Sequence, residues 1–371
     1  MSKSLGMRLL FLISAGLECS LMSVGQSAAV KVALNTPKLL LSENAYNPIP
    51  SPDGRYIAYV KTGWGEGMTI GMGRSSLTSN VGLMEASGNV LKPNFAPQKF
   101  LAGWSADSKA VVCYRDWTYA ILTPGGVTLS EGRLPQPKLP PLPERVAFLN
   151  DLRLPAWQEG SGPNGSLVTT MGTVLRFENG GPSLYIEYVF APSPDGRYVA
   201  TVEATRQPGK LWIYDRKTRK WASLGEAIIS PARDWDYMKP SWDPWFADSS
   251  HLAYFSGRDL LVASPDGQSK RVLLTSNQPA GLAAPSPNGE WVAYVAFDER
   301  PMKARPDLTF WGNSAVWVVT AMGQVAPRQL TRPDLDTTSG LRWLGNDSLV
   351  FDRIRENIFE MHARIWSIAL R

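Results

Sequence analysis

The ten residues SPDGRYIAYV at 51–60 return as SPDGRYVATV at 193–202 and as SPNGEWVAYV at 286–295. A chain that writes one turn and one strand several times must give each copy the same surroundings. The turn is explicit in the residues. Proline presets φ, Asp or Asn bonds the backbone just downstream, and Gly accepts a positive φ. The residues that follow alternate as a strand with at least one buried face. Looser copies stand at SADSKAVVCY (105–114), ADSSHLAYF (247–255) and LGNDSLVFD (344–352).

A second motif alternates with the first. GLMEASGNVLK (82–92), YAILTPGGVTL (119–129), LWIYDRKTRKWASL (211–224), DLLVASPDGQSKRVLL (259–274) and VWVVTAMGQVAPRQL (316–330) each set a polar turn between apolar strands. SLVTTMGTVLRF (166–177) fits the same description without a clear turn copy before it. With it the spacing stays near one period, and without it a gap of about two periods opens, so a degenerate unit is inferred at 140–180, starting in RVAFLNDLRL (145–154). Units of about 50 residues with some four strands read as radial blades. The expectation is an all-β, closed β-propeller with seven blades, or with six and one long insertion. The chain ends in RIWSIALR (364–371), a third strand with no fourth. VKVALN (30–35) or KLLLS (38–42) would complete that blade and remove its exposed edge. An open sandwich explains short strands but not two motifs in phase, and frequent Gly and Pro oppose long helices.

These repeats resemble those of the TolB-type β-propeller, also called WD40-like repeats, across most of residues 40–360. Similar blades form the propeller domains of prolyl oligopeptidase-type enzymes. The resemblance implies a propeller that serves recognition in the cell envelope. It departs from TolB in two ways: residues 30–45 leave no room for the separate N-terminal α/β domain, and the usual TolB propeller has six blades. The resembling peptidases carry their catalytic domain outside the propeller, and no segment of suitable length stands here for one.

The start of the chain reads differently. Lys3 and Arg8 precede an apolar run from Leu9 to Leu17, and SAA at 27–29 offers small residues for cleavage. Residues 1–29 are therefore expected to be an export signal, and 30–371 a single propeller domain, periplasmic or secreted. The run is too short to span a bilayer. Cys19 follows Glu18, not the small residue of a lipoprotein signal, and leaves Cys113 as a lone thiol in a strand, without a disulfide or a cysteine metal site. The formal charge of +5 comes from scattered basic residues, with no basic helix or stripe, which argues against nucleic acid.

Residue patterns that would carry chemistry are sparse. Asp53, Asp107, Asp195, Asp248 and Asn288 each sit in their own turn, so they read as Asx groups rather than a metal or catalytic cluster. His251 beside Ser249 and Ser250, and His362, lack a visible acid and oxyanion partner for a nucleophilic site. GPSLY (181–185) is not a strand–nucleophile–helix turn, and GWGEGMTIGMG (63–73) lacks the endings of a phosphate loop or dinucleotide motif. No catalytic residue, metal or cofactor is assigned. The candidate partner-binding residues are Arg233, Trp235, Asp236, Tyr237, Trp242 and Trp245 in ARDWDYMKPSWDPWF, and Arg300, Lys303 and Arg305 further on. Packing is the competing reading for Trp242 and Trp245. The chain thus reads as an extracytoplasmic scaffold for a protein or peptide, a cell-envelope component being one candidate. The alternative is a sugar-directed hydrolase or lyase with a site dispersed over several blades.

Overall fold

Each turn-and-strand repeat lies within an antiparallel sheet in the computed structural model. It describes residues 35–63, 78–115, 118–133, 146–149, 154–159, 166–169, 172–176, 188–203, 208–229, 242–301, 309–333, 336, 338–356 and 361–370. Contacts divide the chain into Met1–Ala33 and Leu34–Arg371, and all described residues belong to the second unit. The export segment, Cys19 and GPSLY lie outside the described residues.

Among the described residues the strands form seven sheets, numbered in chain order. Sheet 1 holds β2 (Ala45–Pro50), β3 (Tyr56–Gly63), β4 (Thr78–Glu85) and β5 (Val90–Ala96). Sheet 2 holds β6 (Phe100–Trp104), β7 (Val111–Arg115), β8 (Thr118–Leu122) and β9 (Thr128–Arg133). Sheet 3 is the degenerate unit: β10 (Val146–Leu149), β11 (Leu154–Glu159), β12 (Ser166–Thr169) and β13 (Gly172–Arg176). Sheet 4 holds β14 (Tyr188–Pro192), β15 (Tyr198–Glu203), β16 (Gly209–Asp215) and β17 (Lys220–Ala227). Sheet 5 has only β18 (Leu252–Ser256), β19 (Asp259–Ala263) and β20 (Lys270–Thr275). Sheet 6 holds β21 (Ala280–Pro285), β22 (Trp291–Pro301), β23 (Thr309–Thr320) and β24 (Arg328–Gln329). Sheet 7 runs β25 (Leu341–Leu344), β26 (Ser348–Glu356) and β27 (Met361–Ala369), and takes β1 (Lys38–Leu41) as its outer strand.

This corrects the expected closed ring of seven like blades. Six sheets are complete four-stranded blades, the number in the alternative reading, and the fifth has three strands. Its inner position is taken by the stretch around Pro244, which has no N–H for a ladder. Only isolated bridges form there, Trp245 with Leu252 and Ile228 with Phe255, so the ring of inner strands is open at this point. The last sheet is completed from the other end of the chain, with Lys38, Leu39 and Leu41 opposite Ser367, Trp366 and Ile365.

The apolar core lies between sheets. Leu83, Val111 and Cys113 pack between sheets 1 and 2, Val202 with Tyr254 between 4 and 5, and Val295 with Phe351 between 6 and 7. Leu40, Leu41, Met84 and Ile365 fill the space between sheets 7 and 1. A four-stranded sheet cannot hide both faces alone, so the next sheet supplies the cover. Burial pushes the Cys113 thiol up to about 12.

One device recurs between neighbours. The residue just before the first turn is proline in sheets 1, 4 and 6 (Pro50, Pro192, Pro285) and tryptophan in the sheets that follow (Trp104, Trp245, Trp343). Each indole N–H donates to the carbonyl preceding the neighbour's proline: Trp104 to Ile49 at 2.8 Å, Trp245 to Ala191 at 2.8 Å, and Trp343 to Ala284 at 2.7 Å. Two of these rings also stack on a neighbour's tyrosine, Trp104 on Tyr56 and Trp245 on Tyr198, with centroids 6.2 and 6.0 Å apart. Each indole thus has both an apolar bed and a partner for its N–H.

Candidate recognition surface

Antiparallel strand order gives the propeller two ends. One carries the turns between first and second strands and the hairpins between third and fourth. The other carries the second-to-third hairpins and the connections from sheet to sheet.

The turn end is held by local hydrogen bonds. Ser51 Oγ donates to Asp53 Oδ1 at 2.7 Å and accepts from the Tyr56 N–H at 3.0 Å, while the Arg55 N–H donates to Asp53 at 3.1 Å. The same serine-to-acceptor bond is made to Asp107 (2.7 Å), Asp195 (2.6 Å) and Asn288 (2.7 Å). Asp248 accepts instead from Ser250 N and Oγ, at 3.0 and 2.7 Å. Burial pushes the Asp53 and Asp195 carboxyls up, but these donors outweigh it, and both rest below the usual carboxylate range. The turn position that is Gly54 or Gly196 in sheets 1 and 4 is Ser108 or Ser249 in the next sheet, still left-handed at φ 59 and 60°. Each of these serines accepts the neighbouring Asp53 or Asp195 N–H, at 2.9 and 3.0 Å, which offsets the strain. At the rim, Lys38 donates to the Ser87 carbonyl, Lys92 to Gly125 and Arg271 to Ala321, so a cation on one outer strand holds the next sheet's hairpin.

The opposite end is uneven. β7–β8 and β18–β19 are short hairpins of five residues per strand. β22 and β23 are far longer, and their pairs from Asp298–Gly312 to Pro301–Thr309 run past β21, which pairs only as far as Ala296. β26 and β27 likewise pair from Asp352–Ile365 to Glu356–Met361, past the reach of β25. An extension of four paired positions is roughly 13 Å long at the usual strand rise, and in sheet 7 its first part is packed, with Asp352, Ile354 and Ala363 buried against sheet 1. Two neighbouring sheets therefore raise two-stranded arms on one side of this end.

Buried charge marks the joint beneath the arms. Asp352 is fully buried and accepts four bonds: from Asn47 N (2.9 Å), Ser339 N (2.7 Å), Ser339 Oγ (2.9 Å) and Gly340 N (3.0 Å). It ties the first inner strand to the last. Burial pushes its carboxyl up against the pull of those donors. A Cβ at 340 would stand 3.1 Å from Asp352 Oδ2 and 3.4 Å from Pro48, so a side chain there would have to push these neighbours aside. On β25, burial lowers Arg342, and Asp243 from the inner position of sheet 5 opposes that shift across the intervening sheet 6.

The sequence candidates fall in different places. Trp242 and Trp245 are buried, 5% and 4% exposed, in the core between sheets 4 and 5, as the packing reading of these two residues expects. Arg300 pairs in register with Phe310 in the β22–β23 arm. Arg233, Trp235, Asp236, Tyr237, Lys303 and Arg305 lie outside the described residues. Ser250 Oγ touches His251 Nδ1 at 2.7 Å and donates to Asp248, which puts the serine between base and acid, not the order of a nucleophilic triad. Neither Asp352 nor the long arms were anticipated from the residues. Only the length of the alternating run in SLVFDRIRE pointed to an arm, and a lone Asp within it carries no signal of burial. Among the described residues no group of three or more His, Cys, Asp and Glu side chains could hold a metal ion, and no helix is long and apolar enough to cross a membrane.

Radial sheets with cores between them define a β-propeller. No family model and no curated protein matches the chain. Among solved structures, a chain of the Mitotic Checkpoint Complex is similar at a TM-score of 0.53 and 12% identity, covering 98% of this chain and 100% of that one. The β-propeller domain of the Trilobed protease from Pyrococcus furiosus, described as having an open velcro topology, gives 0.52 and 12%, covering 89% and 98%. A structure described as "putative TolB from Agrobacterium tumefaciens" gives 0.40 and 14%, covering 77% and 94%. At these identities the likeness is one of fold.

Proposed function

We propose that the chain is an extracytoplasmic β-propeller scaffold that holds a protein or peptide partner, in the manner the TolB-type repeats imply. The observation that carries this is the unequal end: two adjacent arms stand above a frame whose other end is bonded turn by turn. A rigid frame with projecting hairpins suits recognition. The signal-like first 29 residues support an envelope or secreted setting. The test is affinity capture from the producing cell's envelope fraction with the mature chain, repeated after both arms are cut back to tight turns beyond the Asp298–Gly312 and Ile354–Ala363 pairs, which keeps the buried Asp352, Ile354, Ala363 and Ile365 in place. Capture should be lost while thermal unfolding stays unchanged, and equal capture by the shortened chain rejects the arms as the site.

A second reading is a sugar-directed hydrolase or lyase. It is favoured by Arg342 on β25, whose guanidinium feels the charge of Asp243 from a sheet that is not its neighbour. Convergence of that kind is how a dispersed site would be assembled. Release of reducing ends from envelope glycans, abolished in Arg342→Met, would support it, and no release from any glycan tried would remove it.

A further inference from the structure

We propose that the turn end of the propeller docks on an anionic lipid surface, with the basic hairpin of sheet 4 on the headgroups and apolar hairpin tips just beneath them. This goes beyond the recognition reading, which concerns the opposite end.

The first observation is charge gathered on one hairpin. Between β16 and β17 the chain reads Asp215, Arg216, Lys217, Thr218, Arg219 and Lys220. The corresponding hairpins at 86–89, 123–127 and 321–327 hold no charged residue, and the one at 264–269 holds only Asp266. Asp215, the one acid of the basic hairpin, accepts from Arg197 at 2.9 Å and from the Lys217 N–H at 2.8 Å. Asp53, Asp195, Asp248 and Asp266, in other turns of this end, are likewise bonded to groups of their own turns. Arg216 donates to the Gly196 carbonyl at 2.6 Å, which fixes the base of the hairpin. Lys217, Arg219 and Lys220 stand exposed at its tip.

The second observation is where the exposed apolar groups lie. Val127 in the sheet 2 hairpin, and Met322 and Val325 in that of sheet 6, are 64, 68 and 59% exposed. Val90, Leu129 and Val272 are exposed within the first three residues of β5, β9 and β20, where these outer strands leave the same end. Single apolar side chains on a surface are ordinary. Among the described residues, however, every large apolar side chain that stands exposed lies on an outer strand or on the hairpin before it, at the end that carries the basic tip.

The basic and apolar tips belong to different sheets, so a partner that meets them together must be broad and flat. A nucleic acid offers phosphates but nothing for Met322 and Val325. A bilayer offers both: anionic headgroups that favour partitioning by about fivefold per lysine or arginine, and an apolar layer beneath them. Docked in this way, the propeller holds its two arms away from the lipid.

The test is co-sedimentation of the full mature chain with vesicles of one part phosphatidylglycerol to three parts phosphatidylcholine, at about 0.1 M salt. Binding should exceed that to phosphatidylcholine alone by about tenfold or more, and the combined Lys217→Glu, Arg219→Glu and Lys220→Glu variant should lose about a hundredfold. A Met322→Cys chain carrying an environment-sensitive fluorophore, with Cys113 buried and out of reach of the label, should shift its emission to the blue on these vesicles and not with soluble glycerol phosphate. No binding to the anionic vesicles, equal binding to the neutral ones, full binding by the triple variant, or an unshifted label would each overturn the proposal. Shortening both arms should leave vesicle binding unchanged. Vesicle binding lost with the arms removes this proposal, whereas partner capture lost without it tests the recognition reading alone.

Discussion

Three indole N–H groups reach across to a neighbour's carbonyl at 2.7–2.8 Å, and each is a single-residue lever on stability. Trp104→Phe keeps most of the ring packing and removes one bond, so the expected loss is about 1 kcal/mol, read as a lower denaturant midpoint with an unchanged slope. The turn aspartates make a separate prediction about acid. In Asp266 the Ser264 hydroxyl and the Gln268 N–H lower the carboxyl, and Asp53 and Asp195 are lowered on balance too. A depressed folded value means that the stabilisation is present above the unfolded value, about 3.9, and is lost as pH falls through the lower folded one. The unfolding midpoint attributable to these turns should therefore hold from pH 7 to about 5 and decline below about 4, with a smaller decline in Asp53→Asn. These turns were legible in the residues because Ser, Asp and the next N–H are all within five positions of one another. Asp352 was not, because its partners at 47 and 339 are fixed only by the meeting of distant strands. Asp352→Ala would leave several buried donors without an acceptor, at an expected cost of about 3 kcal/mol or more, measurable by the same titration.

At the scale of elements, β1 carries weight out of proportion to its four residues. Leu40 and Leu41 are buried against Met84 and Ile365, and Lys38 donates to the Ser87 carbonyl in sheet 1. A chain beginning at Ser42 should unfold at lower temperature, and a peptide of residues 35–41 added in trans should raise the midpoint again. No recovery at millimolar peptide would mean that β1 only decorates an already stable edge. The donor strand could be read from the sequence because an unfinished last unit needs a fourth strand and KLLL stands ready at the other end. The missing inner strand of sheet 5 was harder to read. SWDPWF looks like an entering strand, and among the described residues it and Ile228 make only isolated bridges to β18. The arms were hidden for a different reason: alternation shows that a strand exists but not how far its neighbours follow it.

For the molecule as a whole, repeat spacing located the sheets, including the degenerate one at 146–176, but overstated their likeness. Among the described residues six are complete, and the fifth has three strands. The proline-to-tryptophan bonds add a pattern that spacing does not carry, because they join sheets 1 with 2, 4 with 5 and 6 with 7. That pairing predicts where the polypeptide tolerates being made in two pieces. A break after Arg133 keeps every such bond within one piece, whereas a break after Ala96 parts Ile49 from Trp104. Halves from the first division should reassemble on co-expression and elute together, and halves from the second should do so poorly. Reliance on coupled sheets, rather than on single ones, is the consequence of an indole placed one residue before a turn.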